Sequence, residues 1–204
     1  MGGIMSVPLN LNIDFDHPGT GLTVKDSQLV RYPQSKVDLV FEEGTKISLG
    51  KVTLTVLHTP GHSAGHCCFY WEQEDILFST DIDLARDGPW YGSKSANLDD
   101  FIDSIQRIRC LKPRILIPGH GRLITANLEQ RFEQYLNCLY QREEQLLKLL
   151  EEPRTLEDLA DQRLIYPEHS QPLFCYWDKV MLLKHLERLE RSGQVKQSQG
   201  HYFR

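Results

Sequence analysis

The sequence has no apolar run near the roughly 18 residues that a membrane-spanning helix needs. Its first residues, MGGIMSVPLNLN, lack the basic start and long apolar stretch of a secretory signal peptide. The formal net charge is -5, so the chain lacks the basic excess that favours non-specific binding to nucleic acid. We therefore expect a cytoplasmic protein with no membrane partner.

Cysteine is also sparse and poorly spaced for pairing. The chain has five cysteines, an odd number, and no C-x-x-C motif. Such a pattern argues against a disulfide framework or a redox pair. We expect reduced thiols, most of them buried.

The first part of the chain, residues 1–125, contains short β-type runs separated by turns rich in glycine and proline. Asn97 is placed to cap a helix over Leu98–Ile108, where apolar residues recur at helical spacing. The predicted strands are Val37–Phe41, Lys51–Leu57, Cys67–Trp71, Ile76–Ser79 and Ile115–Ile117. This alternation predicts an α/β (α+β) domain over residues 1–125.

From residue 126 onward the pattern becomes helical. Asn127 could cap a long helix that runs to about Glu152 and ends at Pro153. The predicted elements after it are a short helix beginning at Thr155, a helix over Tyr176–Arg191, and a hairpin of Gln194–Lys196 and His201–Phe203 with its turn near Gln199 and Gly200. Helix, helix, helix and hairpin is the order of a winged-helix module, which we predict for residues 126–204.

Three short segments, HTPGHSAGH, FSTDID and IPGHG, each follow a predicted strand and carry a side chain that can bind a metal. These side chains are His62, Asp81 and His120. Loops at strand ends can bring distant ligands together on a rigid scaffold, and the nearby glycines and prolines favour the required turns. Imidazole and carboxylate are ligands of zinc, and also of iron or manganese in similar sites. We therefore predict a metal site with Asp81 as its catalytic carboxylate.

Neighbouring residues are predicted to support this site. His66 would orient or pack against it, and Asp83 would be structural or would support a ligand. Trp90 and Tyr91, in a Gly-Pro loop, would either line a substrate pocket or fill the core. Arg86 could contact an anionic substrate.

Taken together, the three segments resemble the metallo-β-lactamase superfamily, including its glyoxalase II-like hydrolases. The resemblance implies that His62 is a first-metal ligand, Asp81 a bridging carboxylate and His120 a second-metal ligand. It implies a partial αββα metallo-β-lactamase sandwich with a C-terminal helical, winged-helix-like module. The implied cofactor is zinc, one or two ions, with iron or manganese as alternatives.

The upstream H-x-H-x-D-H motif of that family is not found in this sequence. The segment with the most similar spacing is NIDFDH, in which Asp16 and His17 would be metal ligands and both leading histidines are replaced. The preferred interpretation is that SVPLNLN follows the missing motif and that Asp16 and His17 are ordinary loop residues. We then expect an N-terminally shortened member with an exposed sheet edge or apolar face.

Two functions follow from the resemblance. The first is a metal-dependent hydrolase, in which metal-bound hydroxide attacks an ester or thioester, or else a phosphodiester, of a small-molecule substrate. The second is a catalytically impaired homologue that acts as a binding or regulatory protein. That protein could bind nucleic acid through the basic residues of the C-terminal module, although a packing or homo-oligomer interface is the simpler role for this module.

Overall fold

The computed structural model describes residues 38–169 and 171–204, and its first part is built on a five-stranded sheet. The strands are β1 (Lys46–Leu49), β2 (Val52–His58), β3 (Cys67–Trp71), β4 (Ile76–Thr80) and β5 (Ile115–Pro118), in that spatial order. Neighbours from β1 to β4 are antiparallel, whereas β4 and β5 are parallel. Parallel strands need a crossover, and helix α1 (Leu98–Cys110) supplies it.

The second part contains helices with a small sheet. Its elements are α2 (Leu128–Leu149), β6 (Arg154–Thr155), α3 (Leu156–Ala160), α4 (Pro172–Arg191), β7 (Lys196–Ser198) and β8 (His201–Phe203). The strands form a three-stranded sheet in the order β6-β8-β7. The mixed α/β class is confirmed, and the three helices and the hairpin occur in the predicted order. Strand β6 was not predicted, and the winged-helix character of this part stays a prediction.

One hydrophobic core joins the two parts. It includes Leu77 and Leu116 of the five-stranded sheet, Phe101 of α1, and Leu139 and Leu186 of α2 and α4, all of them almost fully buried. Helices α1 and α2 turn apolar stripes toward this core, whereas every residue of α4 from Val180 to Leu186 is buried. The division at residues 125 and 126 stays a prediction about sequence organisation, since the two parts pack on the same core.

The structure corrects the start of the predicted fold. Asp38–Phe41 are not in a strand, and Val37 lies outside the described residues. Leu39 and Val40 are 76% and 85% exposed, so the apolar run that suggested a strand packs against little of the described chain. The first described strand is β1, an edge strand of the sheet.

Two of the three predicted helix caps are present, whereas α4 begins at Pro172 and not at Tyr176 as predicted. Asn97 caps α1 as expected, because its side chain accepts hydrogen bonds from the backbone of Asp99 and Asp100. Thr155 forms the expected capping box at α3. Asn127 precedes α2 but makes no side-chain cap, because its backbone is left-handed (φ 57°).

All five cysteines are free, as predicted. Only Cys68 is buried, so the expectation of mostly buried thiols is wrong. Burial raises the pKa of Cys68 to about 12, which leaves it unreactive at neutral pH. Within the described ranges, none of the helices is both long and apolar enough to cross a membrane.

Candidate metal centre

The loop that carries His62 is fixed by hydrogen bonds to three successive carbonyl groups. The donors are the Ser104 hydroxyl to Pro60 (2.7 Å), the Asn97 backbone N–H to Gly61 (2.9 Å) and the Ser93 hydroxyl to His62 (2.8 Å). Ser104 belongs to α1 and Asn97 is its cap, so two of these hydrogen bonds tie the loop to that helix. The loop backbone therefore has a single well-determined path before any ligand binds.

Gly61 permits that path. Its φ is +128°, a value that side chains rarely adopt. A Cβ at this position would lie 2.2 Å from the Cα of Phe101, which is helix backbone and cannot rotate away. The glycine lets the loop touch α1 and sets the position of His62.

Asp81 follows β4 directly, after a residue with unusual backbone geometry. Thr80 has φ 48°, which is uncommon for a β-branched residue. Its hydroxyl donates to the Cys67 carbonyl (2.9 Å), and its own carbonyl accepts the Gly119 N–H (2.7 Å). Thr80 therefore joins β3, the Asp81 turn and the IPGHG loop, which brings His120 to Asp81.

The three predicted ligands meet at the Asp81 carboxylate. His62 Nε2 lies 3.7 Å from Asp81 Oδ2, and His120 Nε2 lies 3.3 Å from Asp81 Oδ1. The His62 side chain is 19% exposed and that of His120 59% exposed, so solvent reaches the carboxylate mainly from the His120 side. Asp81 stands between the two imidazoles and presents a different oxygen to each.

The second nitrogen of His62 shows which tautomer is present. Nδ1 lies 3.1 Å from the carbonyl oxygen of Trp90. A carbonyl can only accept, so Nδ1 carries a hydrogen, and in the neutral ring Nε2 is the nitrogen with a lone pair toward Asp81. This is the arrangement that orients metal-binding histidines in proteins.

His66 is buried and its two nitrogens are both occupied. Nδ1 donates to the Thr59 carbonyl (2.8 Å), and Nε2 lies 2.7 Å from the Thr80 hydroxyl and accepts the Asp81 backbone N–H (3.2 Å). Burial is the main reason that its pKa lies below the usual value, so the ring is neutral at pH 7. His66 therefore orients the Asp81 turn, one of the roles predicted for it.

Asp83 holds the loop that follows. Its Oδ1 accepts hydrogen bonds from the Tyr135 hydroxyl (3.1 Å) and the Ala85 backbone (3.1 Å). These contacts match the structural role that the sequence left open for it. Asp16 and His17 lie outside the described residues, and their proposed role as ligands stays a prediction.

The donor chemistry fits a metal, but the described residues do not complete a site. No three His, Cys, Asp or Glu side chains in residues 38–169 and 171–204 are arranged to hold one ion. The predicted ligands form two pairs, His62 with Asp81 and His120 with Asp81, which share one carboxylate. The buried His66 also approaches this carboxylate, with Nε2 3.9 Å from Asp81 Oδ2. Catalytic zinc sites use three protein ligands, so each pair would need further donors.

Trp90 and Tyr91 were each predicted to line a pocket or to fill the core. Tyr91 is fully buried, so the structure supports the core role and corrects the pocket role. Trp90 is half-buried, with its ring 5.1 Å from that of His62. In the described part of the chain, the indole N–H of Trp90 has no hydrogen-bond partner.

A buried polar network behind the site was missed at the sequence level. Arg142 of α2 donates to the Tyr91 hydroxyl (3.0 Å) and to the carbonyls of Asp87 (2.8 Å) and Pro89 (3.3 Å). The Tyr91 hydroxyl lies 2.6 Å from Nε2 of His185 in α4. The network therefore ties α2 and α4 to the loop whose Trp90 carbonyl orients His62.

At the end of this network, burial and ion pairing shift the pKa of Glu143 in opposite directions. Burial raises the pKa of Glu143, but hydrogen bonds from His185 and Arg188 outweigh it and hold that pKa below its usual value. Burial lowers the pKa of His185, which is therefore neutral at pH 7. The signal was present in the sequence, because Arg142 and Glu143 occupy positions of the apolar stripe between Leu139 and Leu146.

The basic residues of α4 are largely engaged in ion pairs. Lys179 contacts Glu157, Arg188 contacts Asp99 and Glu143, and Arg191 contacts Asp99. Lys184 is buried. These cations hold α4 against α1, α2 and α3, which leaves little free positive charge on the helix for nucleic acid.

A sequence profile described as the metallo-beta-lactamase superfamily matches residues 10–120, more than half of the chain. Similar curated proteins include an atrochrysone carboxyl ACP thioesterase of Aspergillus fumigatus (32% identical, 57% of this chain and 36% of the relative). A beta-lactamase-like protein 2 homolog of Drosophila melanogaster is 27% identical over 89% of this chain and 65% of its own. An acyl-coenzyme A thioesterase of Gallus gallus is 37% identical over 46% and 35%. The chain thus spans between about a third and two thirds of these relatives.

A solved structure supports the same assignment. A metallo-beta-lactamase family protein of Thermus thermophilus is 31% identical, with a TM-score of 0.69 over 84% of this chain and 55% of that one. Its similarity includes both the five-stranded sheet and much of the helical part, since 84% of the chain exceeds either part alone. By its profile match and by this fold, the chain belongs to the metallo-beta-lactamase superfamily.

Proposed function

We propose that this protein is a metal-dependent hydrolase that cleaves ester or thioester bonds of a small-molecule substrate. One observation carries the proposal: His62 and His120 approach opposite oxygens of Asp81, and the Trp90 carbonyl leaves the His62 Nε2 lone pair free. A carboxylate between two imidazoles, one of them oriented by a backbone carbonyl, has little structural purpose on a partly exposed surface. It suits the binding of a cation.

In this proposal His62, Asp81 and His120 hold the metal, with zinc as the preferred ion and iron or manganese as alternatives. A bound metal would supply Lewis acidity and lower the pKa of water to about 7. Other groups of the chain hold these ligands in position. The Trp90 carbonyl fixes the His62 ring, and the His66 ring fixes the backbone N–H of Asp81.

A thioester is preferred to a phosphodiester as the substrate. The fungal and chicken relatives are both named as thioesterases, and each matches this chain at over 30% identity. In thioester hydrolysis the carbonyl carbon gains an oxygen from water and loses the sulfur. The products are a carboxylic acid and a thiol, which takes up the second proton of the water.

The alternative function, a binding or regulatory protein with lost activity, rests on a different observation. Each His–Asp pair provides two donors in the described ranges, fewer than the three of catalytic zinc sites. In that case one metal or none would bind, and nucleic acid would be a candidate partner of the C-terminal part. The ion pairs of α4 favour the hydrolase over this alternative.

Metal content and hydrolysis, measured on the same preparations, test the proposal. We expect at least one zinc, iron or manganese ion per chain after reconstitution and dialysis, and hydrolysis of a short-chain acyl thioester. His62→Ala and His120→Ala should each lose metal and at least about 100-fold in rate. His201→Ala, in β8 of the small sheet, is the matched control and should change neither.

Two results would contradict the proposed hydrolase. A wild-type chain that retains no transition metal would overturn the metal site. A chain that retains metal but hydrolyses no thioester, ester or phosphodiester would support the binding protein instead.

A further inference from the structure

A cleft with three arginines opens beside His120. It has a volume of about 470 Å³, and its walls include Arg86 from the loop after Asp81, Arg122 from the loop after His120, and Arg131 from the first turns of α2. A smaller hollow of about 290 Å³ shares Arg86 and Arg131. Three separate segments of the chain therefore contribute an arginine to one cleft, which His120 also lines.

These guanidinium groups have no side-chain partner within residues 38–169 and 171–204. Among the described residues, neither Arg86, Arg122 nor Arg131 forms a side-chain hydrogen bond or an ion pair. In contrast, Arg107, Arg109 and Arg114 each contact a glutamate. The one carboxylate in the wall of the larger cleft, Asp83, accepts hydrogen bonds from Tyr135 and Ala85. The cleft therefore has a net positive charge that has no partner in the described part of the chain.

Guanidinium groups bind phosphate with two parallel hydrogen bonds, which distinguishes them from lysine and suits them to phosphate recognition. The volume falls within the range of about 300–1,000 Å³ that is typical of small-molecule sites. An extended nucleic acid would need a longer basic surface, and the basic residues of α4 are paired instead. The chemistry and size favour the phosphate group of a small substrate.

We propose that the cleft formed by Arg86, Arg122 and Arg131 binds a phosphate carried by the thiol part of the substrate, so that the substrate class is an acyl thioester of a small phosphorylated thiol. The proposal rests on the proposed hydrolase function. His120 belongs to both the cleft and the metal centre, so a substrate with its phosphate among the arginines can place its thioester near Asp81. After cleavage of the carbon–sulfur bond, the arginines would hold the free phosphorylated thiol.

Matched thioesters test this substrate class. The probes share one butyryl group and differ in the thiol: pantetheine has no phosphate, 4′-phosphopantetheine has a terminal one, and coenzyme A has a diphosphate and a 3′-phosphate. We expect the wild type to show a KM about tenfold lower for the phosphorylated thioesters than for butyryl-pantetheine. The comparison of the two phosphorylated probes shows which phosphate the cleft recognises.

Substitution of the three arginines is the second test of the cleft. Arg86→Gln, Arg122→Gln and Arg131→Gln should each raise KM for the phosphorylated thioesters by about tenfold and leave kcat and the KM for butyryl-pantetheine unchanged. Arg114→Gln is the matched control, because Arg114 precedes β5 at the end opposite His120 and contacts Glu74. Equal KM values for the three thioesters in the wild type would overturn the proposal. So would variants in which KM for butyryl-pantetheine rises as much as KM for the phosphorylated thioesters.

A binding measurement separates this inference from the proposed function. Calorimetric titration with free coenzyme A requires no hydrolysis. Binding by the wild type that is lost in the triple Arg→Gln variant would support the cleft even in a protein without thioesterase activity. Absence of binding in the wild type would overturn the cleft, whatever the activity.

Discussion

Gly61→Ala is the most direct test of how the His62 loop is built. The new Cβ would lie 2.2 Å from the Phe101 Cα, so loop and helix must separate by roughly 1 Å or more to reach an ordinary contact. Overpacking costs about 1–3 kcal/mol, and a φ of this kind in a residue with a side chain costs about 1–3 kcal/mol more. We therefore expect a loss of about 2–6 kcal/mol, a large part of the total stability of a domain.

The same substitution should weaken the site as well as the fold. His62 follows Gly61, and the Gly61 carbonyl accepts the Asn97 N–H, so the shift moves the His62 ring away from Asp81. We expect Tm to fall by about 5–20 °C and metal affinity to fall by at least about tenfold. Thermal unfolding with chelator gives the first value, and titration of metal into the folded protein below Tm gives the second.

Gly65→Ala is the matched control in the same loop. Nothing lies within 4 Å of a Cβ at Gly65, and its backbone is not left-handed. Tm and metal affinity of that variant should stay close to wild type. A Gly61→Ala protein with wild-type Tm and wild-type metal affinity would refute the packing argument.

Three further predictions concern buried polar groups and a helix cap. Tyr91→Phe removes the hydroxyl between Arg142 and His185, which should cost about 1–3 kcal/mol and lower Tm by about 2–12 °C; an unchanged Tm would contradict this role. Burial lowers the pKa of His185, so below its ordinary value of 6.5 the unfolded chain takes up a proton that the folded chain excludes, and stability falls as the pH falls. His185→Gln should reduce the slope of unfolding free energy between about pH 7.5 and 5, measured in urea, by up to about 1.4 kcal/mol per pH unit; identical slopes would count against it. Asn97→Ala removes the α1 cap and should lower the free energy of unfolding by about 0.5–2 kcal/mol, which urea unfolding measures. Metal affinity should not change in a metal titration, because the backbone N–H of residue 97 still donates to the Gly61 carbonyl.

Much of the fold could be predicted because local patterns agree with the final packing. The alternation in Lys51–Leu57 and the helical spacing after Asn97 become β2 and α1 almost without change. The hairpin turn at Gln199 and Gly200 was also expected, and both residues adopt positive φ. The prediction failed at Asp38–Phe41, because strand propensity depends on packing, and Leu39 and Val40 are largely exposed in the described chain.

The candidate site was predictable to a smaller extent. His62, Asp81 and His120 follow strands in glycine-rich loops, which is a local signal. The groups that orient them are not local. The Trp90 carbonyl is a backbone atom that any residue would offer, and the contact of Tyr91 with His185 depends on how α4 packs on the core. Such contacts appear only once the tertiary structure is known.

The contact between Tyr91 and His185 also has a consequence for synthesis of the chain. The two residues are 94 positions apart in sequence. At a translation rate of about 5–20 residues per second, the ribosome needs about 5–20 s to proceed from one to the other. During that interval the loop that orients His62 lacks its support from α4. The site would therefore reach its final geometry only after α4 has been synthesised.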